Sequence, residues 1–164
     1  MALGDNTLQA ARGNSQRGRN PYYVQTVLNL ATALSDKGGA LAAADAIPVI
    51  AVPKGHMILN AGFEVDTVTD GSTFTVDLGT GVDPDVFVDG FNATAATAVG
   101  TLSQNPAAYQ PVMCVANDNI DLTLATLSGG AVTVGKLRIW AVLMDCTDAG
   151  KDGTAQEVDR DTLA

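Results

Sequence analysis

Between residues 57 and 66 the chain alternates: Met57, Leu59, Ala61, Phe63 and Val65 share one parity, with Asn60, Glu64 and Asp66 on the other. A two-residue period is that of a strand with one buried and one wet face. The turn signature Thr69-Asp70-Gly71-Ser72 ends it, and Phe74, Val76 and Leu78 then alternate with Thr73, Thr75 and Asp77 in the same way. This spacing predicts two adjacent antiparallel strands. Upstream, the apolar run Ala46 to Val52 stops at Pro53-Lys54-Gly55, whose backbone chemistry predicts a hairpin-like turn. Tyr22 to Leu34 fits two patterns, since Val24, Val27, Leu28, Ala31 and Leu34 suit a helix while Val24, Thr26, Leu28 and Leu30 suit a strand; the strand is preferred.

Residues 79–85 read as a loop, followed by the short apolar segment Val86-Phe87-Val88, the turn Asp89-Gly90, and a long Ala-, Thr-, Ser- and Asn-rich connection to Pro106. The runs Pro111 to Ala116, Ile120 to Leu127 and Val132 to Met144 follow, separated by Asn117-Asp118-Asn119 and Ser128-Gly129-Gly130, and predict a meander. Seven or eight strands spaced by turns, with no long helix between them, favour an all-β fold, a jelly-roll-like antiparallel β-sandwich. Its expected core is Met57, Leu59, Phe63, Phe74, Val76, Leu122, Leu124, Ile139 and Trp140.

Charge divides the chain further. Arg12, Arg17, Arg19 and Lys37 make the first quarter mildly basic, and residues 4–21 lack apolar periodicity, so 1–21 is expected to be a flexible N-terminal arm before a β-sandwich domain at 22–145. Residues 146–164 carry Asp148, Asp152, Glu157, Asp159 and Asp161 against Lys151 and Arg160, and read as an acidic C-terminal tail.

Composition narrows the function. The chain of 164 residues is 46% hydrophobic and 16% charged, too apolar for disorder and sparse enough in charge that some apolar surface is expected to face a partner. A net charge of −9 and an isoelectric point near 4.2 argue against nucleic acid as the main ligand. The longest uncharged apolar stretch, Ile47 to Pro53, is too short to span a bilayer, no basic start followed by an apolar run opens the chain, and the protein is expected to be made and used without secretion or membrane. Cys114 and Cys146 are expected as two free thiols.

Candidate chemistry does not converge on a catalyst. Val76-Asp77-Leu78-Gly79-Thr80-Gly81 looks like the glycine-rich first motif of S-adenosylmethionine-binding methyltransferases, yet the preceding strand alternates and no helical period follows, so the loop reading is preferred and no cofactor is expected. Asp83, Asp85 and Asp89 could offer calcium its hard oxygen ligands, but the spacing is not that of an EF-hand and turns favour Asp and Gly on backbone grounds; no metal is expected. The single histidine, His56, beside Gly55, is expected as a surface turn residue; no serine elbow or second imidazole accompanies it, and only Glu64 and Glu157 are glutamates. No catalytic residue is assigned. Partner contacts are expected instead from Arg12, Arg17 and Arg19, which suit an acidic protein surface, and from Tyr22 and Tyr23, which read equally as core residues or as docking anchors.

The order Asp45 to Val52, Pro53-Lys54-Gly55, Asp77-Leu78-Gly79-Thr80-Gly81-Val82-Asp83-Pro84-Asp85, Val88-Asp89-Gly90 and Gly135-Lys136-Leu137-Arg138-Ile139 resembles small structural proteins of tailed bacteriophages, above all head decoration or cement proteins. The similarity covers roughly residues 22 to 145 and rests on turn motifs. It implies a non-enzymatic β-sandwich subunit, commonly a homotrimer, on the outer face of the virion capsid, assembled in the host cytoplasm and tying major capsid proteins together. A carbohydrate- or host-binding β-sandwich of a tail or fibre is the alternative, and it would need clustered exposed aromatics. A calcium-dependent or hydrolytic enzyme ranks third.

Overall fold

The computed structural model describes residues 20–103, 105–106, 109–128 and 132–146. Eight strands and one short helix follow in the order β1 (Tyr22–Asn29), α1 (Leu30–Lys37), β2 (Ala46–Val52), β3 (His56–Thr67), β4 (Thr73–Thr80), β5 (Val88–Asn92), β6 (Val112–Met113), β7 (Asp118–Ser128) and β8 (Lys136–Asp145). They form two four-stranded sheets, ordered β1-β8-β3-β6 and β2-β7-β4-β5. Every pairing is antiparallel. First pairs with last, second with second-last, third with sixth and fourth with fifth, so one long hairpin is wound over itself: the expected jelly roll.

That winding corrects three expectations about neighbours. Pro53-Lys54-Gly55 does reverse the chain, with Gly55 at φ +83°, but β2 and β3 part into different sheets. β3 and β4 likewise face each other across the core and do not pair, and β6, β7 and β8 alternate between sheets, so they make no meander.

The core lies between the sheets. From one side Phe63, Val65, Leu137 and Ile139 point inward, and from the other Phe74, Val76, Leu122 and Leu124; all are at most 2% exposed. Full burial of each such side chain is worth about 1.5–3 kcal/mol. The Phe63 ring meets Phe91 edge-on, centroids 4.8 Å apart at 82°, tying β3 to β5 across the gap. Ile58, and neither Met57 nor Leu59, carries the core at the start of β3, being fully buried. The register slips between Ile58 and Asn60. A bulge there moves the following side chains to the other face, which is why the alternation holds for Ala61, Phe63 and Val65 but fails before them.

Residues 22–34 turn out to satisfy both patterns in succession. The strand ends at Asn29, whose side chain accepts a hydrogen bond from the Ala31 amide (3.0 Å) and so caps α1; Gly38, at φ +69°, closes it. Fully buried Leu30 plugs the side of the sandwich, and its amide donates to the Gly135 carbonyl at 3.0 Å. Lys37, one of the basic residues of the first quarter, is the last residue of this helix and is ion-paired with Asp45.

Three loops gather at one end of the sandwich. Gly55 N–H donates to the Cys114 carbonyl (2.8 Å), Lys54 N–H to Asn117 Oδ1 (2.9 Å), and Gly81 N–H to Asp118 Oδ1 (3.4 Å). The chain enters β1 and leaves β8 at this same end, where Cys146 N–H donates to the Gly55 carbonyl at 2.9 Å. Arg12, Arg17 and Arg19, with most of the expected arm and tail, lie outside the described residues.

Candidate functional site

The registers assign each outward side chain of the β1-β8-β3-β6 sheet to a row, because directly opposed residues share a face. Met113, Met57 and Met144 form the first row, across β6, β3 and β8. Tyr23, Val142 and Asn60 form the second, Gln25, Trp140 and Gly62 the third, and Val27, Arg138 and Glu64 the fourth. The face is therefore graded. It is apolar where the chain enters and leaves, and charged at the other end, where Arg138 holds Asp66 at 2.7 Å.

Within the apolar half, Tyr23 stacks on Trp140 with centroids 6.4 Å apart and planes 18° from parallel. Tyr23 is 56% exposed and Met113 42%. Three of the four methionines lie in one row. Methionine is flexible and polarisable, so a methionine row on an open sheet is a surface that adapts to what packs on it.

The outward face of the other sheet is its chemical opposite. Thr75, Asp77, Thr123 and Asp121 occupy its central rows, with Asn92 and Asn119 beside them. Burial, then the nearby charges of Asp89 and Asp85, pushes the Asp77 carboxyl up; burial, then Asp118, does the same to Asp121.

The expected site residues separate accordingly. Tyr22 and Tyr23 are both substantially exposed, at 39% and 56%, so neither is a core residue. Tyr22 stands edge-on to His56, centroids 6.2 Å apart. His56 is not a surface turn residue: it is the half-buried first residue of β3, and its Nδ1 is buried without a hydrogen-bond partner among the described residues. Trp140, expected in the core, belongs to the outer face. The sequence did carry a signal of this, because Leu137 to Met144 contains a near-continuous apolar run, the mark of a strand covered on both faces.

The remaining motifs serve the backbone. The stretch Val76 to Thr80 is antiparallel β4, and Gly79 is required because a Cβ there would stand 2.1 Å from the Asp83 carbonyl oxygen of the returning loop. Thr80 Oγ1 accepts from the amides of Val82 and Asp83, both at 3.3 Å, and Asp77 accepts from Gly90 N–H at 2.7 Å. The turn reading of these glycines and aspartates thus has its bonds. No cluster of three or more metal-ligating side chains occurs among the described residues. Both cysteines are free. They flank β3 on opposite sides, about 9–10 Å apart by strand spacing, beyond the reach of a disulfide. Burial, then Asp118, raises the Cys114 thiol pKa and keeps it in its unreactive form.

No protein family and no curated protein matches the sequence. The fold does find likenesses. A chain of the capsid asymmetric unit of cyanophage Pam1 superposes with a TM-score of 0.57 at 18% identity, covering 78% of this chain and 86% of that one. A chain of the acid-stable capsid of Helicobacter pylori bacteriophage KHP30 gives 0.51 at 13%, over 79% and 91%. A chain of the Ralstonia phage GP4 capsid gives 0.52 at 15%, over 79% and 86%. Each likeness spans most of both chains, so this sandwich shares its whole fold with a small chain of about its own size in each capsid.

Proposed function

We propose that this protein is a non-enzymatic decoration or cement protein, which binds the outside of a phage head as a trimer and stabilises contacts between major capsid proteins. The observation that carries the reading is the likeness to three phage-capsid chains over 78–79% of this chain and 86–91% of theirs. Fold alone does not supply function, so the argument also needs a site. The methionine and aromatic half of the β1-β8-β3-β6 face meets that need: it is apolar, exposed, and set against a wet face of threonine and aspartate that suits solvent. Tyr23 acts as an anchor there, and Tyr22, which the alternation turns to the other side of β1, offers a second contact at the end of the sandwich beside His56. Arg12, Arg17 and Arg19, which precede β1 in the sequence, add charge-assisted hydrogen bonds to capsid carboxylates. The carbohydrate-binding alternative would draw on the Tyr23–Trp140 pair, which is one stack beside a row of methionines rather than a cluster of aromatics.

The experiment is binding of purified protein to heads stripped of it. Met113→Glu combined with Tyr23→Glu should abolish binding at unchanged melting temperature, while Thr75→Glu on the opposite face should leave it intact. Loss of binding with Thr75→Glu alone would place the site elsewhere.

A further inference from the structure

Each sheet has two edges, and three of the four are blunted. β6 is two residues long. β2 contains Pro48 and a register shift between Pro48 and Ile50. β5 has five residues, with Gly90 at φ +63° and a register shift in its ladder with β4. These are the devices that keep edges from pairing with other chains. β1 has none of them: its eight residues, Tyr-Tyr-Val-Gln-Thr-Val-Leu-Asn, carry no charge and no proline and run without a shift along β8.

The direction of its free groups follows from the ladder. Leu30 N–H points to β8, donating to Gly135. By the two-residue alternation of antiparallel pairs, the backbone groups of Leu28, Thr26 and Val24 also face β8, and those of Tyr23, Gln25 and Val27 face the open edge.

We infer that β1 of a second copy pairs with this edge, antiparallel, about a two-fold axis through Gln25. Residues opposed in such a pair must share a face, which restricts the axis to a residue and excludes one between residues. Centred on Gln25, Tyr23 stands opposite Val27 of the second copy, Val24 opposite Thr26, and Tyr22 opposite Leu28. Tyr23 and Val27 both point outward and are 56% and 49% exposed, so the pairing covers them with an aromatic–β-branched contact. Centring on Thr26 would oppose Tyr23 to Asn29, whose side chain already caps α1. The Gln25 register closes about six backbone hydrogen bonds and brings no like charges together. The chain's own residues 10–17, Ala-Ala-Arg-Gly-Asn-Ser-Gln-Arg, are a poor alternative strand. The contact is isologous, whereas a closed trimer uses a heterologous one, so on a shell the two would coexist, with β1 joining neighbouring trimers. The inference does not rest on the decoration reading.

The test is a cysteine at the axis. Opposed hydrogen-bonded residues have Cα atoms about 5.5 Å apart, within disulfide range. In a Cys114→Ala, Cys146→Ala background, Gln25→Cys should cross-link on oxidation to twice 16.8 kDa on a non-reducing denaturing gel. Thr75→Cys, on the other sheet's outer face, should not. Separately, Gln25→Lys and Gln25→Glu should each weaken self-association at least tenfold, and mixing the two should restore it. A Gln25→Cys protein that stays monomeric on the gel, cross-linking by Thr75→Cys to the same extent, or association unaltered by both charges would overturn the pairing, leaving the edge to the arm or to a capsid strand.

Discussion

The Trp140 indole packs against Gly62, where a Cβ would stand 2.8 Å from its Cζ2 atom. Gly62 is buried although it occupies an outward position, because the neighbouring strand's largest side chain roofs it. Gly62→Ala should therefore lift the indole and disturb Ser103, whose Oγ, 3.0 Å from the same Cβ, accepts from Phe63 N–H. Overpacking of this kind typically costs about 1–3 kcal/mol. Trp140 is the only tryptophan, so its emission reads the change directly: a red shift and loss of particle binding are expected, and an unmoved spectrum would show that the indole is not held there.

Two aspartates should give stability opposite dependences on pH. The Thr133 hydroxyl, aided by the amides of Thr133 and Val134, holds Asp70 below the usual carboxylate range. Its contribution is complete above the unfolded pKa of about 3.9 and is lost as pH falls through the folded value. Asp70→Ala should cost about 1–2 kcal/mol at neutral pH and flatten the acid limb of the stability curve. Asp121 is raised instead, by burial first, so its ionised form destabilises the fold at neutral pH. Asp121→Asn should raise the melting temperature at pH 7, with the gain shrinking as pH falls toward 4; thermal melts across that range check both signs.

Deleting residues 1–19 should leave melting temperature and β-type circular dichroism unchanged, because β1 begins at Tyr22 and the core is complete without them. Attachment to heads should weaken and become less sensitive to salt, since Arg12, Arg17 and Arg19 go with the arm and exposed charges are screened over about 8 Å at physiological ionic strength. A binding titration against salt decides it; identical curves would remove the arm from the contact.

The number of strands and the jelly-roll class were legible because inward residues such as Phe74, Val76 and Leu78 recur with period two. Strand partners were not. A turn such as Pro53-Lys54-Gly55 has the same composition whether the chain returns alongside itself or crosses to the facing sheet, and that choice is made by distant pairs such as Ile47 with Leu122. Helix α1 is hidden inside a run that suits both periods, although Asn29 before it and Gly38 after it are ordinary start and stop signals. The apolar face was half visible. Tyr23 stands out, but the sequence alone does not turn Met57 and Trp140 outward, because an apolar side chain on an uninterrupted run does not say which face it takes. The bulge after Ile58 and the pairing of Trp140 with Gly62 settle that in three dimensions.

Immunogold labelling of intact purified virions with an antibody to this chain tests the decoration reading most directly. Gold should decorate the outer surface of the head at regular density and vanish after the protein is stripped. Label confined to tails or fibres, or particles that carry none of the chain, would contradict the account.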